Sequence, residues 1–342
     1  MEQITSRLSF VEVFCSMVAP TPVNAATRAI QVFRENGGIM RMANILRSGI
    51  TRNTLYAMRD SGRPLQELMQ YFVMERFLFR LSKSKHAERF DLKGALMFRV
   101  WGTPQSRATR DIDLLARVEN SVQTISAIMK DVCQQSVEPD GVEFPSDSVR
   151  GTMIKEDAEY SGVRVTFVAM IQNARLPMQI DVGFGDVIHP VATTITYPTM
   201  LDFDAPNLIG YPKETVIAEK FEAMVKLGQL NSRMKDFFDV CVLACQFDFD
   251  AEILSNAVQK TFANRGTELL AEPYVFAEPF RLDATKQIQW TAFIRKSKLE
   301  GTWDSFSNVV DDISIFLSPI AQSLAAGRKL IASWKAGGPW GH

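Results

Sequence analysis

At 342 residues the chain is longer than one hydrophobic core usually grows, so two or three domains are expected. Its apolar and charged fractions, 46% and 23%, exclude wholesale disorder, and a net charge of -1 excludes bulk attraction to nucleic acid, leaving local basic patches as the only route to such binding. Four cysteines without paired spacing, no apolar run near the roughly 20 residues a bilayer needs, and an N-terminus without a leader pattern point to a reduced, soluble, cytoplasmic protein with no membrane association.

Residues 26–62 read as short helices broken at Gly37-Gly38 and Gly49, a helix-turn-helix rhythm with Thr51 as N-cap of the third helix and Gly62 as its stop. Arg41, Arg47, Arg52, Arg59 and Arg63 make the segment locally basic, although pattern alone fits a small bundle with a solvated basic surface as well. Apolar residues at helical spacing predict a core-facing helix over 65–82. From about Phe90 to Tyr197, helix-like stretches (Leu96 to Trp101, Ser121 to Gln134) alternate with strand-like ones (Asp111 to Ala116, Val163 to Ile171, Met178 to Gly183), which predicts α+β or α/β architecture. Beyond Pro212 the pattern is helical: Lys213 to Leu227, Ser232 to Cys245, Ala251 to Phe262, Trp290 to Lys296 and Phe306 to Ala325. Cys241 and Cys245, one turn apart in an apolar stripe, read as core residues.

Chemistry concentrates in Thr109-Arg110-Asp111-Ile112-Asp113-Leu114-Leu115, where carboxylates alternate with apolar residues. On a strand, both acids share one face at about 7 Å between Cα atoms, near enough to converge on a hard cation such as Mg²⁺. The same alternation in Met178-Gln179-Ile180-Asp181-Val182 offers a third acid. Upstream, Lys93-Gly94-Ala95 places a glycine before a helical run, where backbone amides can approach a phosphate, and Lys93, Arg107 and Arg110 add positive charge. Each aspartate alone is more often a surface or capping residue; glycine, Asp-x-Asp and a further Asp in that order are not. Downstream, Lys220 sits at the edge of an apolar helical face, and Asp236 and Asp239 lie one turn apart, with ordinary helix pairing as the plain alternative.

These blocks resemble the AbiEii/AbiGii family of nucleotidyltransferase toxins, the enzymatic half of abortive-infection and type IV toxin–antitoxin systems. The resemblance runs from about Arg63 to the C-terminus, through Met74-Glu75-Arg76-Phe77-Leu78, Leu92-Lys93-Gly94-Ala95-Leu96, Arg107-Ala108-Thr109-Arg110-Asp111-Ile112-Asp113-Leu114, Gln179-Ile180-Asp181-Val182-Gly183, Ala218-Glu219-Lys220, Ser232 to Asp239 and the tail Gly337-Gly338-Pro339-Trp340. It implies an α+β fold: a polymerase-β-like nucleotidyltransferase domain over 64–205, a mixed sheet with flanking helices, then a helical C-terminal domain over 206–342. Asp111, Asp113 and Asp181 are then the metal ligands for Mg²⁺ or Mn²⁺. Lys93, Gly94, Ala95, Arg107, Thr109 and Lys220 face the nucleotide, and Lys220 and Asp236 join the three acids as catalytic residues. Ala95 departs from the Ser or Gly common in the superfamily.

Within the N-terminal segment over 1–63, Asn36-Gly37-Gly38-Ile39-Met40-Arg41 through Ile50-Thr51-Arg52-Asn53-Thr54-Leu55-Tyr56 is similar to the winged-helix domain of AbiEi-type antitoxins, which implies either DNA contacts through Arg41, Arg52 and Arg59 or a structural relic that packs on the enzyme. The expected partners are an NTP, an RNA acceptor with tRNA first, a cognate antitoxin and DNA at the N-terminal segment. Two rival functions stand beside transfer to RNA: a DNA-binding regulator or NTP sensor without turnover, and an enzyme that modifies a protein hydroxyl.

Overall fold

The computed structural model describes residues 64–103, 107–155, 161–299, 303 and 305–341. The helix-turn-helix segment over 1–63, with Arg41, Arg52 and Arg59, lies outside the described residues. Two compact units divide the chain. The first takes residues 64–185 and Thr193–Gly210; the second takes Asp186–Ala192 and the chain from Tyr211 onward.

The first unit is a mixed sheet with helices on one face. Helix α1 (Leu65–Lys83) follows Pro64 and ends where the Ser84 hydroxyl donates to the Leu81 carbonyl. Strand β1 (Phe90–Lys93) leads through a 3-10 turn, Gly94–Leu96, into the four-residue helix α2 (Met97–Val100). The strand β2 (Asp111–Ala116) has the predicted bounds, and α3 (Val122–Cys133) starts where the Ser121 hydroxyl accepts from the Thr124 amide. Six further strands follow: β3 (Val142–Glu143), β4 (Arg150–Lys155), β5 (Ser161–Ile171), β6 (Ala174–Phe184), β7 (Thr193–Thr196) and β8 (Asn207–Gly210). The strand order is β3-β5-β6-β2-β1-β8-β7, with β4 on β5. β2 runs parallel to β6 and antiparallel to β1, so the two acid-bearing strands lie side by side.

Strand alternation decides which face is covered. Ile112, Leu114, Val163, Val165, Ile180 and Val182 are fully buried with Phe72 and Phe77 of α1 and Ile125 and Met129 of α3 in one core. Each such side chain contributes on the order of 1.5–3 kcal/mol. The intervening residues, with the aspartates, point to the other face.

The second unit is helical, as the sequence predicts beyond Pro212. Its main helices are α4 (Lys213–Leu227), α5 (Met234–Gln246), α6 (Ala251–Asn264), α7 (Ala284–Ser297) and α8 (Phe306–Ala325). Helix α7 begins six residues before the predicted Trp290, because the Asp283 carboxylate caps it through the Thr285 amide. Cys241 is buried, whereas Cys245 is only half-buried. The Gly337-Gly338-Pro339-Trp340 tail closes a small sheet of Phe249–Asp250, Ser333–Trp334 and Trp340–Gly341. No helix of the described residues is long and apolar enough to cross a membrane.

Candidate active site

Parallel pairing of β2 with β6 puts Asp113 directly opposite Asp181 and Asp111 opposite Gln179. One carboxylate oxygen from each of Asp111, Asp113 and Asp181 lies within 4.8 Å of the others, and all three residues are half-buried. Hard divalent cations take carboxylate oxygens in this kind of convergence, so the donor set fits such an ion. Like charges this close repel each other, and a positive partner or ligand is the physical remedy.

The loop from β1 presses on this cluster. Gly94 has φ +71°, and a Cβ built there would lie 2.0 Å from Asp113 Oδ2. Only glycine combines that backbone conformation with so close an approach. Lys93 pairs in register with Asp113. Ala95 is buried in the turn, and the helical run behind it is shorter than the sequence predicts, a 3-10 turn plus α2. Arg107 is half-buried and Arg110 exposed.

Thr109 is buried, and its hydroxyl donates to Asp111 Oδ1 while its backbone amide donates to the Tyr71 phenol oxygen at 3.1 Å. Its side chain therefore orients a carboxylate.

Asp181 has partners that sequence reasoning missed. Arg164, its antiparallel neighbour on β5, donates Nε to Oδ1 at 2.8 Å and a second guanidinium nitrogen to Oδ2 at 2.7 Å. Gln179 Nε2 lies 3.3 and 3.2 Å from the same two oxygens. The Arg164 pKa is raised, first by its hydrogen bonds to Asp181 and further by the charges of Asp181, Asp111 and Asp113, against some desolvation. The signal was there in Val163-Arg164-Val165-Thr166-Phe167, where an arginine sits at the polar phase of a strand.

Lys220 and Asp236 lie in the helical unit. Lys220 Nζ is 2.8 Å from Asp236 Oδ1 and 2.7 Å from Asp239 Oδ2, both aspartates being about 1% exposed. Arg233 Nε reaches the other Asp236 oxygen at 2.6 Å. Burial alone pushes the Asp236 carboxyl up, but the charges of Lys220 and Arg233 outweigh it and hold it at about 2. Asp239 and Arg233 were in a recognised block without assigned roles; both complete this ion-pair cluster.

The family profile described as Nucleotidyl transferase AbiEii toxin, Type IV TA system, matches residues 76–312. No curated protein matches the chain. Among solved structures, JHP933 from Helicobacter pylori is 12% identical with a TM-score of 0.43, over 77% of this chain and 94% of that one. A second H. pylori crystal structure, a candidate nucleotidyltransferase, is 10% identical with a TM-score of 0.45, over 78% and 98%. The profile spans every acidic and basic residue of the two clusters and more than half of the sequence, and the chain belongs to the AbiEii family of nucleotidyltransferase toxins of type IV toxin–antitoxin systems.

Proposed function

We propose that the protein moves a nucleoside monophosphate from an NTP to a hydroxyl of RNA, tRNA first, and thereby inhibits growth. The observation that carries this reading is the convergence of Asp111, Asp113 and Asp181 beside a glycine turn that no larger residue can replace. Asp111, Asp113 and Asp181 would hold Mg²⁺, or Mn²⁺ in its place, and the ion supplies Lewis-acid stabilisation of the phosphoryl oxygens when bound. The acceptor oxygen forms a bond to the α-phosphorus, the bond to the bridging oxygen of the β-phosphate breaks, and pyrophosphate leaves with the electron pair. Asp181 receives the hydroxyl proton or steers the hydroxyl to the phosphorus. Thr109 fixes the Asp111 rotamer through its hydroxyl, and the Gly94 turn, with Lys93, Ala95 and Arg107, cradles the triphosphate.

In this reading residues 64–205 carry the transfer. The helical part over 206–342 supplies Lys220 for phosphate charge and Asp236 to hold that lysine, and residues 1–63 contact DNA through Arg41, Arg52 and Arg59. The enzyme works in the cytoplasm under restraint by a cognate antitoxin. The test incubates protein, Mg²⁺, each α-³²P-labelled NTP in turn and total bacterial RNA. Label in a tRNA-sized band with wild type and not with Asp111→Ala supports the reading. Label that persists in Asp111→Ala, or no label in any product, contradicts it.

A further inference from the structure

Strand pairing carries one row of side chains across the open face: Lys93 on β1, Asp113 on β2, Asp181 on β6, Arg164 on β5 and Thr152 on β4. The next row on that face runs Asp111, Gln179, Thr166 and Arg150. Directly paired residues, and residues two apart on a strand, share a face. The acids therefore lie between two flanks. The β1 flank has Lys93 and the Gly94 turn. The β5 flank has Arg164, half-exposed, and Thr166, exposed. A cavity of about 350 Å³ adjoins Arg110, Asp111, Thr166 and Gln179, and its lining continues to the covered side through Gln70, Phe167 and Met178. That is within the roughly 300–1,000 Å³ of ligand pockets. An in-line displacement needs the attacking oxygen across the phosphorus from the leaving group. With the triphosphate on the β1 flank, the acceptor comes from β5.

The hydrogen bonds of Asp181 add a second constraint. A carboxylate offers about four lone-pair positions, and here Arg164 and Gln179 together direct four contacts to the two oxygens. Asp181 can serve a cation or accept a proton only after one of these contacts gives way, and Arg164, with the two shorter ones, holds it most firmly. A guanidinium exchanges a carboxylate most readily for another planar or tetrahedral oxyanion that it can grip with two N–H groups, and phosphate is such a group. The Arg164 side chain is 40% exposed, so its guanidinium is open to an incoming phosphate.

We propose that Arg164, with Thr166 and the adjoining cavity, is the acceptor subsite, built for a phosphodiester-bearing acceptor, the end of a nucleic-acid strand. Exchange of Arg164 from Asp181 to an acceptor phosphate frees Asp181 for the reaction and ties its release to a nucleic-acid acceptor. This inference rests on the transferase reading above.

The test measures binding of a fluorescein-labelled RNA by anisotropy across a salt series, and binding of a fluorescent non-hydrolysable NTP with Mn²⁺, for the full chain as wild type, Arg164→Ala, Arg164→Lys and Asp111→Ala. Arg164→Ala should weaken RNA binding about tenfold or more, the loss of one charge-assisted bidentate contact. It should also reduce the slope of log affinity against log salt by about 0.7, one phosphate on a single strand. NTP binding should stay within twofold, which also shows that the variant is folded. Arg164→Lys, keeping the charge and losing the fork, should fall between. RNA affinity and salt slope unchanged in Arg164→Ala would overturn the subsite, as would a loss of RNA binding matched by an equal loss of NTP binding in both Arg164 variants. Transfer of label to protein in place of RNA would also overturn it while leaving the transferase reading intact. An Asp111→Ala variant that still transfers label would instead refute that reading.

Discussion

The two charged clusters solve opposite problems. On the sheet, three half-buried carboxylates converge beside Arg164 and opposite Lys93, an arrangement in which the repulsion among the acids is relieved when a cation arrives. In the helical unit two buried carboxylates face Lys220 and Arg233, so charge is balanced within the cluster and burial is tolerated. Removing an acid from the first relieves repulsion. Removing a member of the second strands a buried charge, which costs far more than the pair contributes.

Substitutions separate the two most sharply. Asp111→Asn should lower transfer about a thousandfold or more, yet leave the denaturation midpoint unchanged or raised, measured by urea titration alongside the labelled-NTP assay. A large fall in stability would mean that the acids are structural. Lys220→Ala should do the reverse to stability, lowering it by roughly 3–5 kcal/mol because Asp236 and Asp239 lose their shared partner. Retention of the wild-type midpoint would show that the cluster is more open than its burial indicates.

pH sharpens the contrast, with opposite signs in the two units. Burial pushes the Glu75 carboxyl of α1 up to about 7 in spite of Arg76 and the Met200 amide, which donates to Glu75 Oε2 at 2.7 Å. The folded state thus binds the proton more tightly than the unfolded one, and its stabilising effect is complete below about pH 4.5 and lost as pH rises to about 7. The span corresponds to roughly 3 kcal/mol. Glu75→Gln should flatten the stability profile between those values, and an unaltered slope would contradict the assignment. Asp236 works the other way, since its carboxyl is held at about 2. Its contribution, roughly 2 kcal/mol, is present above about pH 4 and lost as pH falls toward 2, so Asp236→Asn should remove that acid-side dependence.

Gly94→Ala should have the narrowest effect. Its Cβ would fall against Asp113 in a positive-φ position, costing roughly 1–3 kcal/mol locally. Transfer should drop with little change in the helical unit, and a fully active Gly94→Ala protein would contradict the close approach.

What the sequence revealed depended on the range of the interaction. Periodicity alone gave β2, α4 and α8 with their bounds, because six to twenty residues of consistent phase outweigh local noise. Strands β1, β7 and β8, at four residues each, carry too little alternation to be recognised. The aspartates were legible because acids at the polar phase of an apolar strand are rare, and their convergence followed from one expected strand pairing. Arg164 was not assigned, because its role depends on the β5–β6 register, a tertiary fact. The same holds for Asp239, whose partner lies on another helix, and for Glu75, whose complete burial nothing in Met74-Glu75-Arg76 announces.

The central claim is that the three acids support nucleotidyl transfer, and the most direct measurement counts products. Wild type with Mg²⁺, RNA and the preferred NTP should release one pyrophosphate for each nucleoside monophosphate joined to RNA, and Asp111→Asn and Asp113→Asn should abolish both together. Pyrophosphate and label appearing undiminished in those variants, or label without pyrophosphate, would contradict the account.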